Sequence, residues 1–204
     1  MNIGILGAAT LGQELARQLA TAGHDVVIAN SRGRESLNDL VIGLGSRVVA
    51  GDVEDVLDNP VVILGIPWTR VRDVLKPEIA WHGRVLVDAT NIFRSYAPAF
   101  EVDALGDETG SEIIARLAPS ARVVKAFNSL PVAVMFSPPP IDGSRRVLFV
   151  AGDDAEAVGI AEQLITDVQL CAVSIGSLAA GGKLMQLGGP LSGLELFSFA
   201  GSEH

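Results

Sequence analysis

The sequence has very little cysteine and a shortage of positive charge. Cys171 is the only cysteine in 204 residues, so the chain can form neither an internal disulfide nor a multi-cysteine metal cluster. We expect Cys171 to be a core residue of a protein that works in a reducing cytoplasm. The formal net charge is −9, from 15 basic and 24 acidic residues. This balance predicts no nucleic-acid partner, because no basic footprint exists to meet a phosphate backbone.

Long apolar runs are missing as well. None reaches the ~18 to 20 residues needed to cross a bilayer, and the chain opens without a basic, signal-type segment. We therefore expect no membrane partner and a cytoplasmic location. Aromatic residues make up only 5% of the chain, whereas 49% of it is hydrophobic. Small aliphatic side chains in such excess favour helices packed closely on a buried parallel sheet.

Short apolar runs alternate with stretches of helical periodicity from one end of the chain to the other, without an internal repeat. This alternation is typical of β-α-β units. The predicted strands are residues 2–6, 25–29, 47–49, 61–65, 85–88, 123–127, 146–151 and 168–173. The predicted helices are residues 10–22, 34–44, 68–76, 111–117 and 155–165.

The junction between the first predicted strand and the first predicted helix carries the run Gly7-Ala8-Ala9-Thr10-Leu11-Gly12. Gly7 permits a tight turn and Gly12 lets the helix pack closely on the strand, while the helix N-terminus offers free N–H groups to a pyrophosphate. Ala9 stands where the second glycine of a dinucleotide fingerprint usually lies. The run predicts a dinucleotide site, and with the alternation above it predicts an α/β fold: a doubly wound, mostly parallel sheet of the Rossmann type with a smaller C-terminal extension.

The second predicted strand ends in Asn30-Ser31-Arg32-Gly33-Arg34. No carboxylate stands here to hold the ribose 2′-hydroxyl of NAD. Ser31 and Arg32 can instead bind a 2′-phosphate, with Arg34 as nearby support, so the turn predicts NADP(H). The alternative is a pair of solvated loop arginines.

Three further strand ends belong to the same edge of the predicted sheet. Ile66 and Pro67 can lie against a nicotinamide ring, and Trp68 either joins them or is a core residue at a helix start. Asn91 and Asn128 can hold a carboxamide or a ribose, although each is equally explicable as a turn residue that bonds its own backbone.

No acid–base apparatus stands out. None of the three histidines, His24, His82 and His204, is expected to be catalytic, and no metal-binding motif is present. Direct hydride transfer between two stacked redox rings needs positioning and the exclusion of water rather than a protein nucleophile.

At these residues the chain resembles the NADPH:deazaflavin oxidoreductase family across nearly its whole length. The motifs that carry the resemblance are Ile3-Gly4-Ile5-Leu6-Gly7, Asn30-Ser31-Arg32-Gly33, Ile66-Pro67-Trp68, Asp88-Ala89-Thr90-Asn91, Val124-Lys125-Ala126-Phe127-Asn128, Val150-Ala151-Gly152-Asp153-Asp154 and Gly188-Gly189-Pro190-Leu191. Family members often carry another basic residue after the Ser-Arg pair, whereas Glu35 and Ser36 follow Arg34 here.

The resemblance implies a role for most of these residues. Thr10 and Leu11 would join the pyrophosphate loop, and Ser31 and Arg32 would hold the 2′-phosphate. The residues that would surround the nicotinamide are Ile66, Pro67, Asn91, Ala126 and Asn128. The deazaflavin, coenzyme F420, would stack beside it. The resemblance extends to reductase domains that pass hydride to a flavin, so a deazaflavin or a flavin is the expected second redox partner.

Three functional hypotheses follow. The first is an NADP(H)-dependent oxidoreductase that moves hydride between NADPH and a deazaflavin or flavin. The second is a redox sensor that binds NADP(H) without turnover. The third is a dehydrogenase of a small carbonyl or imine, which requires a proton donor, for which Tyr96 or Lys125 are the candidates.

We expect one NADP-binding domain over residues 1–204, with a dinucleotide-binding core in 1–125 and a smaller part, 126–204, covering the site. The run Ser137-Pro138-Pro139-Pro140 predicts a loop, either a stiff surface connection or a rim of the active site. The glycine-rich tail from Gly176 onward is expected to cover part of the site. Its apolar end, residues 194–199, is either a homodimer surface or core.

Overall fold

One sheet runs through the centre of the molecule. The computed structural model describes residues 1–95 and 98–199, and nine strands within them form this sheet. The strands of the sheet are β1 (Asn2–Leu6), β2 (Asp25–Ala29), β3 (Val48–Ala50), β4 (Val61–Leu64), β5 (Val85–Asp88), β8 (Arg122–Lys125), β9 (Ser144–Gly152), β10 (Cys171–Ser174) and β11 (Phe197–Phe199). A separate two-stranded hairpin consists of β6 (Phe93–Ser95) and β7 (Glu101–Val102).

The order of the strands is β10-β9-β8-β5-β4-β1-β2-β3, with β11 paired on β9. Six neighbouring strands of this order are parallel to one another: β8, β5, β4, β1, β2 and β3. In their register, Ile5 of β1 lies opposite Ile28 of β2 and Ile63 of β4. This is the order of the dinucleotide-binding fold, in which the chain reverses its direction of winding between β1 and β4. Strand β9 is antiparallel to β8, and β10 is parallel to β9. The predicted Rossmann-type, mostly parallel sheet is confirmed.

Helices cover both faces of the sheet. They are α1 (Thr10–Thr21), α2 (Asn38–Ile42), α3 (Val53–Leu57), α4 (Val71–Val74), α5 (Gly110–Leu117), α6 (Val132–Met135), α7 (Ala155–Asp167) and α8 (Ala180–Met185), with 3-10 turns at Arg34–Leu37 and Trp68–Arg70. None of the helices among the described residues is both long and apolar enough to pass through a membrane.

Burial on both faces explains the continuous apolar strands. In β4, Val61 and Ile63 belong to the core cluster that packs on α1 and α7, whereas Val62 and Leu64 belong to the cluster beneath α4 and α5. Side chains alternate between the two faces of a strand, so a strand covered on both sides must be apolar at every position. Helix α1 ends as its pattern predicts, because Gly23 follows in the left-handed region with φ 95°.

Several elements differ from the predictions. The predicted helices 34–44 and 68–76 are each a 3-10 turn followed by one short α-helix. The predicted strand 168–173 starts only at Cys171, because Val168 closes α7 and Gln169 adopts φ 65°. Cys171 is half-buried. The elements that the patterns did not predict are α3, α6, α8, β11 and the β6–β7 hairpin.

The proline-rich run lies away from the mouth of the parallel sheet. Arg146, buried in β9, donates to the carbonyl oxygen of Ser137 (2.7 Å) and pairs with Glu195 (2.9 Å). One guanidinium thereby fixes the run to both β9 and the tail. Pro138 and Pro139 line a small cavity of about 250 Å³ with residues of the α7–β10 turn. This position favours the interpretation of the run as a stiff connection.

Candidate functional site

The turn from β1 into α1 is built on two close backbone approaches. Gly7 has φ 112°, and a Cβ atom there would lie 2.2 Å from the carbonyl oxygen of Gly65. A Cβ atom on Gly12 would lie 1.8 Å from the carbonyl oxygen of Gly7. Neither approach tolerates a side chain, which is why the sequence has glycine at both positions.

The N-terminus of α1 is left without a side-chain cap. Ala9 is the N-cap residue, in an extended conformation, and its methyl group can accept no hydrogen bond from the first turn. No acidic residue lies in that turn either. The N–H groups and the positive end of the helix dipole therefore face outward for an anion.

A first cavity of about 480 Å³ opens in front of this turn. Its lining residues are Leu6, Gly7, Ala8, Ala9, Ala29, Asn30, Ser31, Arg32, Val53, Gly65, Ile66, Pro67, Arg70 and Val74. The cavity lies at the carboxyl ends of β1, β2 and β4, where the winding direction changes and where ligands bind in such sheets. The structure thus brings together the predicted glycine loop, the Ser-Arg turn and the Ile-Pro turn.

Asn30 shapes the Ser-Arg turn. Its Oδ1 accepts hydrogen bonds from the N–H of Arg32 (2.8 Å) and from Ser36 Oγ (3.2 Å). This side chain replaces a backbone turn, and sequence reasoning had treated it only as part of the motif. Ser36 therefore braces the turn. Arg32 forms no ion pair with another described residue and stays exposed at the cavity.

Arg34 lines neither this cavity nor the one that adjoins it. It pairs with Asp52, at 3.6 Å, and with Asp55, and these carboxylates belong to the start of α3. The pKa of Asp55 is lowered, first by the hydrogen bond from the N–H of Asp52 (2.8 Å) and then by Arg34. The predicted support of Arg34 for the 2′-phosphate thus has no counterpart in the cavity lining.

A second cavity, of about 460 Å³, adjoins the first. Its lining residues are Ala9, Leu11, Gly65, Ile66, Pro67, Ala89, Thr90, Asn91, Phe93, Phe127, Leu130, Pro131 and Val132. Ala9, Gly65, Ile66 and Pro67 line both cavities and form a shared wall. No titratable side chain occurs among the described residues that line this second cavity. None of the described residues after Val132 lines either cavity.

Asn91 lines the second cavity, and Asn128, which lines neither cavity, lies beside it. Asn91 Nδ2 donates to the carbonyl oxygen of Asn128 (3.1 Å), and Asn128 Nδ2 donates to that of Met185 (2.9 Å). Asn128 Oδ1 is buried and accepts no hydrogen bond within the described structure. A buried acceptor without a partner costs ~1 to 3 kcal/mol.

Lys125 is buried beneath the site. Its Nζ donates to Asp88 Oδ2 (3.0 Å) and to the carbonyl oxygen of Thr90 (3.2 Å). Asp88 is fully buried and also accepts from the N–H and hydroxyl of Thr90 and from Ser111 Oγ (2.6 Å). This network joins the ends of β5 and β8 and fixes the segment that carries Asn91.

The remaining predicted residues are placed as follows. Trp68 is buried in the core cluster beneath α4, its Nε1 donates to Asp103 (2.8 Å), and it lines neither cavity. Ala126 is fully buried, and Thr10 is exposed in the first turn of α1 without lining a cavity. Tyr96 lies outside the described residues. Residues that the motifs missed, such as Arg70 and Phe93, come from separate parts of the chain and carry no local signal.

Comparison with known proteins agrees with this geometry. Residues 2–92 match the family model described as NADP oxidoreductase, coenzyme F420-dependent. The chain is 37% identical to a hypothetical protein from Sinorhizobium meliloti, with a TM-score of 0.89 over 97% of this chain and 96% of that one.

More distant structures share the fold. A candidate F420-dependent NADP reductase from Arthrobacter sp. FB24 is 24% identical, with a TM-score of 0.71 over 87% of this chain and 86% of that one. An NADPH-bound reductive aminase from Aspergillus terreus is 20% identical, with a TM-score of 0.63. The superposition covers 92% of this chain and 59% of that enzyme.

A curated relative, an NAD(P)⁺ glycerol-3-phosphate dehydrogenase from Lactobacillus delbrueckii subsp. bulgaricus, is 28% identical over 100 residues. That match covers 43% of this chain and only 30% of the relative. The family model and this relative are both described as NAD(P)-dependent redox enzymes. The chain belongs to the NAD(P)-dependent oxidoreductases, in the family described as coenzyme F420-dependent NADP oxidoreductases.

Proposed function

We propose that this protein transfers hydride between NADPH and a deazaflavin or flavin acceptor. One observation carries the proposal: two cavities adjoin along the wall of Ala9, Gly65, Ile66 and Pro67, and they differ in chemistry. The first cavity contains cations and a helix N-terminus, which suit a nucleotide. Both linings are mostly apolar, but the second has no charged residue among its described residues, which suits a flat redox ring.

The first cavity fits the adenosine half and the pyrophosphate of NADP(H). The uncapped N-terminus of α1 would bind the pyrophosphate, and Gly7 lets the backbone approach it. Ser31 and Arg32, held in position by Asn30, would bind the 2′-phosphate through charge-assisted hydrogen bonds.

The shared wall fits the nicotinamide. Ile66 and Pro67 would pack on the ring and Asn91 would lie at its edge, while Asn128, which lines neither cavity, would act on the ring through its hydrogen bond with Asn91. When bound, the nucleotide supplies or accepts a hydride at this ring. The apolar side chains of Leu11, Leu130 and other residues of the second cavity would exclude water from it.

The second cavity supports a deazaflavin or flavin over a carbonyl or imine substrate. Reduction of a carbonyl requires a positioned proton donor, and no titratable side chain occurs among the described residues of the lining. Lys125, one of the two candidate donors, is engaged by Asp88 and Thr90 beneath the cavity, and Tyr96, the other, lies outside the described residues. Hydride transfer between two rings needs only their alignment in a dry pocket.

The direct test is to mix the protein with NADPH and, in turn, a deazaflavin, FMN or FAD, and to follow absorbance at about 340 nm. We expect oxidation of NADPH with at least one of these acceptors. Tight binding of NADPH without oxidation by any of them would instead support the redox-sensor hypothesis. Oxidation only by small carbonyls or imines would overturn the assignment of the acceptor.

The preference for NADP is tested separately. We expect Arg32→Ala to raise the Kd for NADPH by at least ~tenfold with little change for NADH, as the loss of a charged hydrogen bond implies. Arg34→Ala is the matched control and should leave both constants unchanged, because Arg34 is held by Asp52 and Asp55. Equal weakening of both nucleotides by Arg32→Ala would refute the assignment of the Ser-Arg turn.

We also propose that the chain forms one cofactor-binding domain and works in the cytoplasm as a homodimer. The sheet continues from β8 into β9 and β10, which supports a single domain, and the lone cysteine suits a reducing compartment. Four large apolar side chains are exposed in the last described stretch, residues 184–199: Leu184, Leu194, Leu196 and Phe199. A monomeric mass in solution, measured by light scattering, would contradict the dimer.

A further inference from the structure

We propose that Arg70 is a second cation of the 2′-phosphate subsite and that, together with Arg32, it sets the preference for NADPH over NADH. This inference rests on the proposed function. Sequence reasoning assigned the supporting role to Arg34, two residues beyond Arg32. The structure places a different arginine, from the turn after β4, at the same cavity.

Arg70 is anchored to the floor of the site. It ends the 3-10 turn Trp68–Arg70, and its N–H donates to the carbonyl oxygen of Pro67 (2.9 Å). Pro67 belongs to the wall that the two cavities share, and its ring restricts the backbone. The starting point of the Arg70 side chain is therefore fixed relative to the cavity, although the guanidinium itself is exposed.

The charges around the first cavity single out Arg70. Arg32 and Arg70 are the charged residues among the described residues of its lining, and no carboxylate lines it there. Arg34 is neutralised by two aspartates, and the guanidinium of Arg72 lies over the ring of Trp68 at 5.5 Å. In a chain of net charge −9, two arginines without a lining carboxylate form a local anion-binding potential.

Asp73 restrains Arg70 when no nucleotide is bound. The pair lies one helical turn apart, with Nη1 and Oδ2 separated by 3.1 Å, and both side chains are more than half exposed. Exposed pairs of this kind are weak, so a phosphate that carries nearly two negative charges can displace the carboxylate. Asp73 therefore competes with the 2′-phosphate for the same guanidinium.

Calorimetric titration of NADPH and NADH at low salt tests this inference with two variants that should change the Kd for NADPH in opposite directions. We expect Arg70→Ala to raise the Kd for NADPH about tenfold and that for NADH less than about twofold. Asp73→Asn should lower the Kd for NADPH by about two- to fivefold, because it removes the competitor, and should have no effect once Arg70 is alanine. Arg72→Ala is the matched control and should change neither nucleotide.

Two results would overturn the inference: equal weakening of NADPH and NADH by Arg70→Ala, which would indicate contact with the adenine or pyrophosphate, or no weakening at all. Thermal unfolding in the absence of nucleotide would verify that each variant folds, as its exposed position predicts. If the unaltered protein binds no NADPH, the proposed function itself fails. If Arg32→Ala abolishes the preference for NADPH and Arg70→Ala leaves it intact, only the role of Arg70 fails.

Discussion

The buried pair of Lys125 and Asp88 makes a sharp prediction, because the same lysine is one of the two candidate proton donors of the carbonyl or imine hypothesis. In the structure its Nζ donates to Asp88 and to the carbonyl oxygen of Thr90, and its side chain is 1% exposed. Lys125 itself does not line the second cavity. We expect Lys125→Met to damage stability and to lower the rate of hydride transfer far less than the loss of a general acid would.

The expected loss of folding stability follows from the interactions that remain around Asp88 after the substitution. Methionine is an unbranched side chain of similar length, so the change leaves little empty volume. It leaves a fully buried carboxylate without its cation, and breaking a buried pair in this way costs ~3 to 5 kcal/mol. Thr90 and Ser111 still donate three hydrogen bonds to Asp88, so we expect the lower end, about 3 kcal/mol. That is a large share of the ~5 to 15 kcal/mol by which domains are stable.

The assay is urea denaturation followed by far-UV circular dichroism, with NADPH oxidation measured on the folded variant. Adding Asp88→Asn to Lys125→Met should recover part of the loss, because the neutral amide removes the uncompensated charge, with a coupling energy of about 1 kcal/mol or more. Removing a general acid typically lowers the rate by ~100-fold or more. A loss of stability below about 1 kcal/mol, together with a rate loss of that size, would refute this reasoning.

Three further predictions test other parts of the structure. Gly12→Ala should abolish NADPH binding and lower the Tm, because its methyl group would lie 1.8 Å from a carbonyl oxygen of the glycine loop; wild-type affinity in a fluorescence titration would contradict this. Trp68→Phe should remove the bond to Asp103 and cost ~1.5 to 3 kcal/mol in urea while leaving the Kd for NADPH unchanged, whereas a selective loss of binding would place Trp68 in the site. Burial lowers the pKa of His24, so the unfolded chain takes up a proton first as pH falls through 6.5. The free energy of unfolding should therefore decrease from about pH 7.5 to about pH 5.5, and His24→Gln should flatten this dependence.

The parallel core of the fold could be predicted from the sequence because its signals are local. Strands β1, β2, β4 and β5 lie within one residue of their predicted bounds, since strands buried on both faces are continuous apolar runs. Helix α3 gave no such signal. It packs against β1 at Gly4, where a Cβ atom would lie 2.3 Å from the carbonyl oxygen of Val56. A close contact between residues some fifty positions apart leaves no periodic trace in either segment.

The candidate site likewise has parts whose local geometry could be predicted from the sequence and parts whose geometry could not. The shape of the glycine loop and of the Ser-Arg turn could be predicted because each is one short segment whose conformation depends on its own residues. In the Ser-Arg turn, for example, Asn30 accepts a hydrogen bond from the N–H of Arg32, two residues away. Trp68 shows the limit, because an aromatic residue at the start of a helix looks the same whether it faces a ligand or the core. Its indole N–H finds Asp103, in a loop that follows the β6–β7 hairpin, and this partner could not be known before the chain was folded.

Arg34 and Arg70 show that the fold, rather than closeness in sequence, decides which arginine lines the first cavity beside Arg32. Arg34 lies near Arg32 in sequence, but the start of α3 presents Asp52 and Asp55 to it, and those carboxylates hold its guanidinium. Arg70 is distant in sequence, yet the return of the chain through β4 brings its turn to the same edge of the sheet. An acidic protein can bind an anion here because Asp52 and Asp55 neutralise the arginine beside the cavity, whereas Arg32 and Arg70 line it, with Arg70 engaged by a weak, exposed pair with Asp73.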